Sequence, residues 1–186
     1  MLPEIKTKIR ALIEDLTKID IEIFEYTTSS TFTLSEENIS SIVKVDKNGI
    51  ALGSGDYSFD STTNEIEITT GLSSGDIITV KYQYTKYSDT ELIEYIRAAL
   101  IWISLSALCE KDFELETDYI EPTPCNKEED LIAIVSSILI KPDYSEYRLP
   151  NITVRYPRTM TKEERIQKLI SKFYHGTGVN NILEWD

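Results

Sequence analysis

Along the first residues of the chain, Ile5, Ile9, Leu12, Ile13 and Leu16 recur at the three-and-four spacing that lines them up on one face of a helix, and Pro3 suits its first turn. Between Ile19 and Tyr26 the pattern is ambiguous. Ile21 and Ile23 alternate with Glu22, but Phe24 breaks the alternation, so this segment reads as a strand or a connector.

From Thr31 to Lys86 the period becomes that of strands, β-branched and aromatic residues dominate, and Gly or Asn punctuates at short intervals. Ile42-Val43-Lys44-Val45 leads into Asn48-Gly49, a hairpin pair because both central positions of a type I′ turn need positive φ. Further strands are predicted at Asp56–Phe59 and Glu65–Ile68. In the last one Ile78, Val80, Tyr82 and Tyr84 point one way while Thr79, Lys81 and Gln83 point the other, after a turn at Ser74-Gly75-Asp76. One face of this module is core and the other is wet.

Ser88-Asp89-Thr90-Glu91 has the spacing of a capping box and opens a long helix predicted to run to about Lys111. Its apolar positions, Leu92, Ile93, Ile96, Ala99, Leu100, Ile103 and Ala107, spread over more than one stripe, and Trp102 and Leu105 occupy the remaining face. Such a helix is packed on several sides, by its own fold or by a neighbouring subunit. Asn126 with Glu129 predicts the cap of a third helix, carrying Leu131, Ile132, Ile134, Val135, Ile138 and Leu139, with Glu128, Glu129 and Asp130 where the helix dipole favours negative charge. Lys141–Met160 holds Pro142, Pro150 and Pro157 and reads as an extended arm. Thr161-Lys162-Glu163-Glu164 then caps a fourth helix with Ile166, Leu169, Ile170 and Phe173, ending near Gly176.

The predicted fold class is α+β: a helical bundle of about four helices formed by 1–30 and 87–140, an antiparallel β-module (sandwich or small barrel) inserted at 31–86, and a C-terminal arm and helix at 141–186. At 186 residues the chain is long enough to bury a core without staples. The net charge of −13 argues against a reader of nucleic-acid sequence, because phosphate affinity comes from Lys and Arg. Residues 1–140 carry 11 Lys/Arg and 26 Asp/Glu, a net of −15, whereas 141–186 carry 8 and 6, a net of +2. The acidity belongs to the body and the tail is mildly basic.

Two cysteines, Cys109 and Cys125, do not make a disulfide framework and fit a reducing compartment. The N-terminus has no apolar core of a secretory leader, and the longest uncharged run, Ala98–Cys109, is too short to span a bilayer. Nucleophilic triads, zinc sites and imidazole bases draw on histidine, and the chain has one, His175, at the predicted end of the fourth helix where a cation meets the last carbonyls. The alternating acids Asp112, Glu114, Glu116 and Asp118 lack the loop pattern of a calcium site, and Gly53-Ser54-Gly55 lacks the setting of a phosphate loop. The expectation is therefore a protein that is not an enzyme and takes no cofactor or metal. Candidate partner-binding residues cluster instead in the arm and last helix: Tyr144, Tyr147, Arg148, Arg155, Tyr156, Arg158, Arg165, Lys168 and Phe173, since Tyr and Arg dominate binding energy at interfaces.

The short N-terminal helix, the capped Ser-Asp-Thr-Glu-Leu-Ile-Glu-Tyr-Ile-Arg-Ala-Ala helix at 88–99, a further helix and a C-terminal tail together resemble the head-to-tail connector (adaptor) proteins of long-tailed bacteriophages. The segment Val45-x-x-Asn48-Gly49-x-x-Leu52-x-x-Gly55-Asp56-Tyr57, then Leu72-x-x-Gly75-Asp76-x-Ile78-x-Val80-x-Tyr82, is similar to small β-modules of phage virion and fibre proteins. The resemblance implies a structural virion protein at the head-tail junction, assembled in the host cytoplasm. It would form a homo-oligomeric ring, dodecameric by that resemblance, joining the portal protein to neck or tail proteins. The acidic body would line a channel that DNA passes without binding. The alternative is another tail, baseplate or fibre-associated protein whose β-module meets a protein or a glycan.

Overall fold

The computed structural model describes residues 1–106, 108–117, 119–175 and 182–183, the last two by their backbone alone. In chain order its elements are α1 (Leu2–Leu12), β1 (Lys18–Glu25), β2 (Thr31–Thr33), β3 (Ile39–Lys47), β4 (Ile50–Ala51), β5 (Tyr57–Asp60), β6 (Glu65–Ile68), β7 (Ile77–Tyr84), α2 (Asp89–Leu105), β8 (Glu114–Leu115), β9 (Ile120–Glu121), α3 (Asn126–Ile140), β10 (Glu146–Leu149), β11 (Ile152–Arg155), α4 (Lys162–His175) and β12 (Ile182–Leu183). They divide into two compact units, Met1–Asp15 with Asp89–Asp186, and Leu16–Ser88. Ala107 of the predicted second helix, Asp118 of the acidic run and Gly176, the predicted stop of the fourth helix, lie outside the described residues.

In the Leu16–Ser88 unit, antiparallel pairing gives a four-stranded sheet in the order β1-β7-β3-β4 and a three-stranded sheet in the order β2-β6-β5. Phe32, Leu34, Ile39, Val45, Ile66, Ile68, Ile78, Val80 and Tyr82 form its core. The alternation of β7 is read correctly: Ile78, Val80 and Tyr82 are buried while Thr79, Lys81 and Gln83 are partly exposed. The tight turn after β3 follows from Asn48 and Gly49, whose φ of 51° and 80° a glycine or asparagine adopts with least strain. The ambiguous segment 19–26 is a strand for most of its length, since β1 pairs with the whole of β7 from Lys18 opposite Tyr84 to Glu25 opposite Ile77.

The other unit is built around α3. Leu131–Val135 and Ile138 are buried on every side of this helix, because α1, α2 and α4 all pack on it. Its N-cap is Cys125 rather than Asn126, with Glu128 accepting the Cys125 amide at 2.7 Å, so the capping pair sits one residue earlier than its sequence signature suggests. The acids of its first turn are compensated. Lys8 of α1 reaches Glu129 at 2.9 Å and Asp130 at 2.7 Å, and Lys111 reaches Glu128 at 2.7 Å. On α1, Ile5, Ile9 and Leu12 are buried as the spacing requires, but Leu16 is 65% exposed, because the helix ends at Leu12 and the chain turns at Glu14 with φ of 57°. Arg10 bridges Asp15 and Asp89, and Lys6 also pairs with Asp89, which ties α1 to the start of α2.

The expected architecture, a helical bundle carrying one sandwich or small barrel and trailed by an extended arm, is overturned. Among the described residues the strands form four small sheets and no closed barrel. Two of these sheets lie outside the segment assigned to the β-module. One is the β8-β9 hairpin in the connection between α2 and α3; α2 itself stops at Leu105, short of Lys111. The other occupies the supposed arm, where β10 and β11 pair antiparallel across Pro150-Asn151 and β12 runs parallel to β11. The hairpin forms because its alternate side chains, Tyr147, Leu149 and Val154, have a helical core to pack on and are all buried.

Candidate functional site

The nine candidate residues of the C-terminal segment fall into three groups, buried, half-buried and exposed. Tyr147, Tyr156 and Arg165 are buried, at 1%, 4% and 3% exposure. Arg165 stands on α4, whose first turn is closed by reciprocal bonds: the Thr161 amide donates to Glu164 Oε2 at 3.0 Å and the Glu164 amide to Thr161 Oγ1 at 3.3 Å. With Ile166, Leu169 and Ile170 packed inward, the helix aims the Arg165 guanidinium back at the segment before it. Its Nη1 donates to the carbonyls of Pro142 and, at 2.8 Å, Tyr144, and Nη2 reaches the Pro157 carbonyl at 3.5 Å. The group lies over the Tyr156 ring, 5.8 Å from its centroid, and Tyr156 meets Tyr147 edge-on at 6.5 Å.

These three side chains hold their own unit together. The Tyr147 hydroxyl donates to the Lys141 carbonyl at 2.6 Å, and Lys141 Nζ donates to the Tyr144 hydroxyl at 2.7 Å and to the Ile13 carbonyl. Burial pushes both the Tyr147 and Tyr156 phenols well above their ordinary range, so both stay neutral donors or acceptors. Tyr144 is half-buried at the edge of the same cluster, its ring 6.3 Å from Tyr147.

Arg148, Arg155, Arg158 and Lys168 are exposed. Arg148 and Arg155 flank Glu146 on the hairpin at 2.9 Å and 3.2 Å, and the bonds and charge of Arg155, with Arg148 second, hold the Glu146 carboxyl below its usual range. Phe173, near the end of α4, is half-buried and packs edge-on against Tyr174 at 5.0 Å. His175, the last residue of α4, is exposed.

A second surface of this unit was not among the candidate residues. At the end of α2, Ile101 and Leu105 are 55% and 76% exposed, and Leu105 lines a depression with Trp102, Leu108 and, from α4, Gln167 and Ile170. The signal for it lay in α2's composition: a helix apolar on every face covers only part of itself with α3 and leaves the rest outward. The acids Glu114 and Glu116 of the alternating run fall at the β8-β9 hairpin, and no group of three or more potential metal ligands occurs among the described residues. No helix of the described residues is long and apolar enough to cross a membrane.

No protein-family model matches the chain, and no curated protein matches its sequence.

Proposed function

We propose that this chain is a structural assembly subunit of a tailed-phage virion, the head-to-tail adaptor that joins the portal protein to neck or tail proteins. The observation that carries the reading is the uncovered apolar surface of α2, with Ile101 and Leu105 outward and Trp102 beside a depression open to solvent. Clustered apolar side chains of this size on a surface mark protein contact. In the proposed ring, each copy lays this face on its neighbour, and the homo-oligomer, dodecameric by resemblance, surrounds the DNA channel. The net charge of −13 suits a wall past which DNA slides. Arg148, Arg155, Arg158 and Lys168, exposed on the mildly basic C-terminal segment, are the proposed contacts to the portal.

The test is the mass and shape of the purified chain, alone and mixed with the portal complex, by light scattering and negative-stain imaging. A closed ring, or a monomer that forms one on the portal, is expected, and Leu105→Asp is expected to abolish it. A chain that stays monomeric and ignores the portal in both conditions refutes the adaptor reading. The second reading, a baseplate or fibre-associated protein, rests on a different surface, the outward isoleucines of β1. Immunogold labelling at the tail tip would favour it.

A further inference from the structure

In β1 the usual alternation of a surface strand is inverted. This strand lies at the edge of the four-stranded sheet, and its isoleucines face outward: Ile19, Ile21 and Ile23 are 55%, 54% and 67% exposed. The alternate residues turn to the side that carries the core. There the Tyr82 hydroxyl donates to Glu22, Phe24 packs on Phe32 with ring centroids 5.1 Å apart, and Asp20 lies opposite Tyr82. The strand thus bears an apolar column on one face and two acids, Asp20 and Glu22, on the other.

The neighbouring strand does not cover the apolar column. Opposite Ile19, Ile21 and Ile23, β7 places Gln83, Lys81 and Thr79. The isoleucines stand on the outer face beside the free edge of the sheet, where the backbone groups of β1 face a chain that lies alongside, apart from the Ile21 amide, which donates to Asp20 Oδ1 at 2.8 Å. An added strand would shield the isoleucines with its own side chains while its backbone completes the ladder.

We propose that β1 is a docking edge for a strand of another protein whose residues alternate apolar and basic. The apolar side chains would stand against Ile19, Ile21 and Ile23 and the Lys or Arg side chains against Asp20 and Glu22. The inference is independent of the adaptor reading, which rests on α2.

A second copy of β1 does not fit that description. Residues opposite one another in an antiparallel pair share a face. Every register that sets isoleucine against isoleucine at more than one position places Asp20 opposite Glu22, Glu22 opposite Glu22, or Asp20 opposite Asp20. Like charges directly opposite destabilise a pair, so the edge selects against itself and in favour of a basic partner.

The experiment uses the full chain and two labelled, end-blocked synthetic peptides as long as β1. One alternates lysine and valine, and the other has the same composition with the lysines and valines in separate blocks. Fluorescence anisotropy is expected to show the alternating peptide binding at least about tenfold more tightly than the block peptide. Hydrogen exchange should show new protection at the β1 amides. Ile21→Ser with Ile23→Ser removes the apolar column without changing charge, and Asp20→Asn with Glu22→Gln removes the acids while leaving an acceptor for Tyr82. Each pair should weaken binding about tenfold. Equal binding of the two peptides, undiminished binding to either double variant, or a dimer of the chain that the isoleucine variant dissociates would overturn the proposal, the last by making a second copy the occupant.

Discussion

Replacing Arg165 with alanine tests whether the C-terminal hairpin is part of the folded body. Arg165 is 3% exposed, and its guanidinium donates to the carbonyls of Pro142, Tyr144 and Pro157. The Pro157 bond, at 3.5 Å, is at the limit of reach and is left out of the estimate. A hydrogen bond from a charged donor contributes about 1.5–3 kcal/mol, so the loss of the other two removes about 3 kcal/mol or more. The lost stacking on Tyr156 and the void left behind add to this, while the relief of burying a charge, whose Nε has no hydrogen-bond partner among the described residues, offsets part of it. The expected net destabilisation is about 3 kcal/mol. Arg165→Lys should recover only part of this, because an ammonium can donate to the two carbonyls that Nη1 serves but has no planar face to lie over the Tyr156 ring and no second nitrogen for Pro157. Arg158→Ala, at an exposed position, should stay within about 0.5 kcal/mol of the parent. Urea unfolding followed by circular dichroism, with hydrogen exchange reporting on α4 and the hairpin, gives both numbers. An Arg165→Ala protein within about 1 kcal/mol of the parent, with its hairpin amides equally protected, would refute the reasoning.

Other consequences are as direct. Leu105→Asp should change monomer stability by less than about 0.5 kcal/mol, since the side chain is 76% exposed, while any self-association through α2 is lost in light scattering. Tyr82→Phe removes the donor to Glu22 from the core of the β-unit and should cost about 1–2 kcal/mol in urea unfolding of that unit. Asp76 is held to a pKa of about 2 by the Ser73 amide, then by Lys47 and Asn48. Its folded pKa lies below the ordinary 3.8, so the charged form is the one the fold favours, and the stabilisation is present above that value and lost as pH falls toward about 2. Thermal melts over that range should show a steeper loss for the parent than for Asp76→Asn. Gly75→Ala, at φ of 88°, should cost about 1 kcal/mol by forcing a side chain into a left-handed turn, read from the same unfolding curves.

Much of the secondary structure is legible in the sequence wherever its periodicity runs long enough. The buried stripe of α1, the clean alternation of β7 and the Asn48-Gly49 turn are local in origin, because an amphipathic period or a need for positive φ is written into adjacent residues. The hairpin of β10 and β11 was not legible, since strands of four residues between prolines offer no period to detect. The roles of Tyr147, Tyr156 and Arg165 were hidden for a related reason. Residue type marks them as good anchors for binding, but only packing decides whether an anchor faces a partner or its own chain, and here three carbonyls and two rings claim them from within.

Composition and pattern by themselves determined that the chain is acidic, that it mixes helices with short strands, and which faces of the long elements are apolar. Tertiary structure alone decided which of those faces are covered. The apolar residues of α3 are enclosed by three helices, whereas the isoleucines of β1 and the end of α2 remain open to solvent. The physical reason is that hydrophobic driving force is proportional to area removed from water and indifferent to direction, so sequence sets how much apolar surface must be hidden while the packing of distant segments settles what hides it.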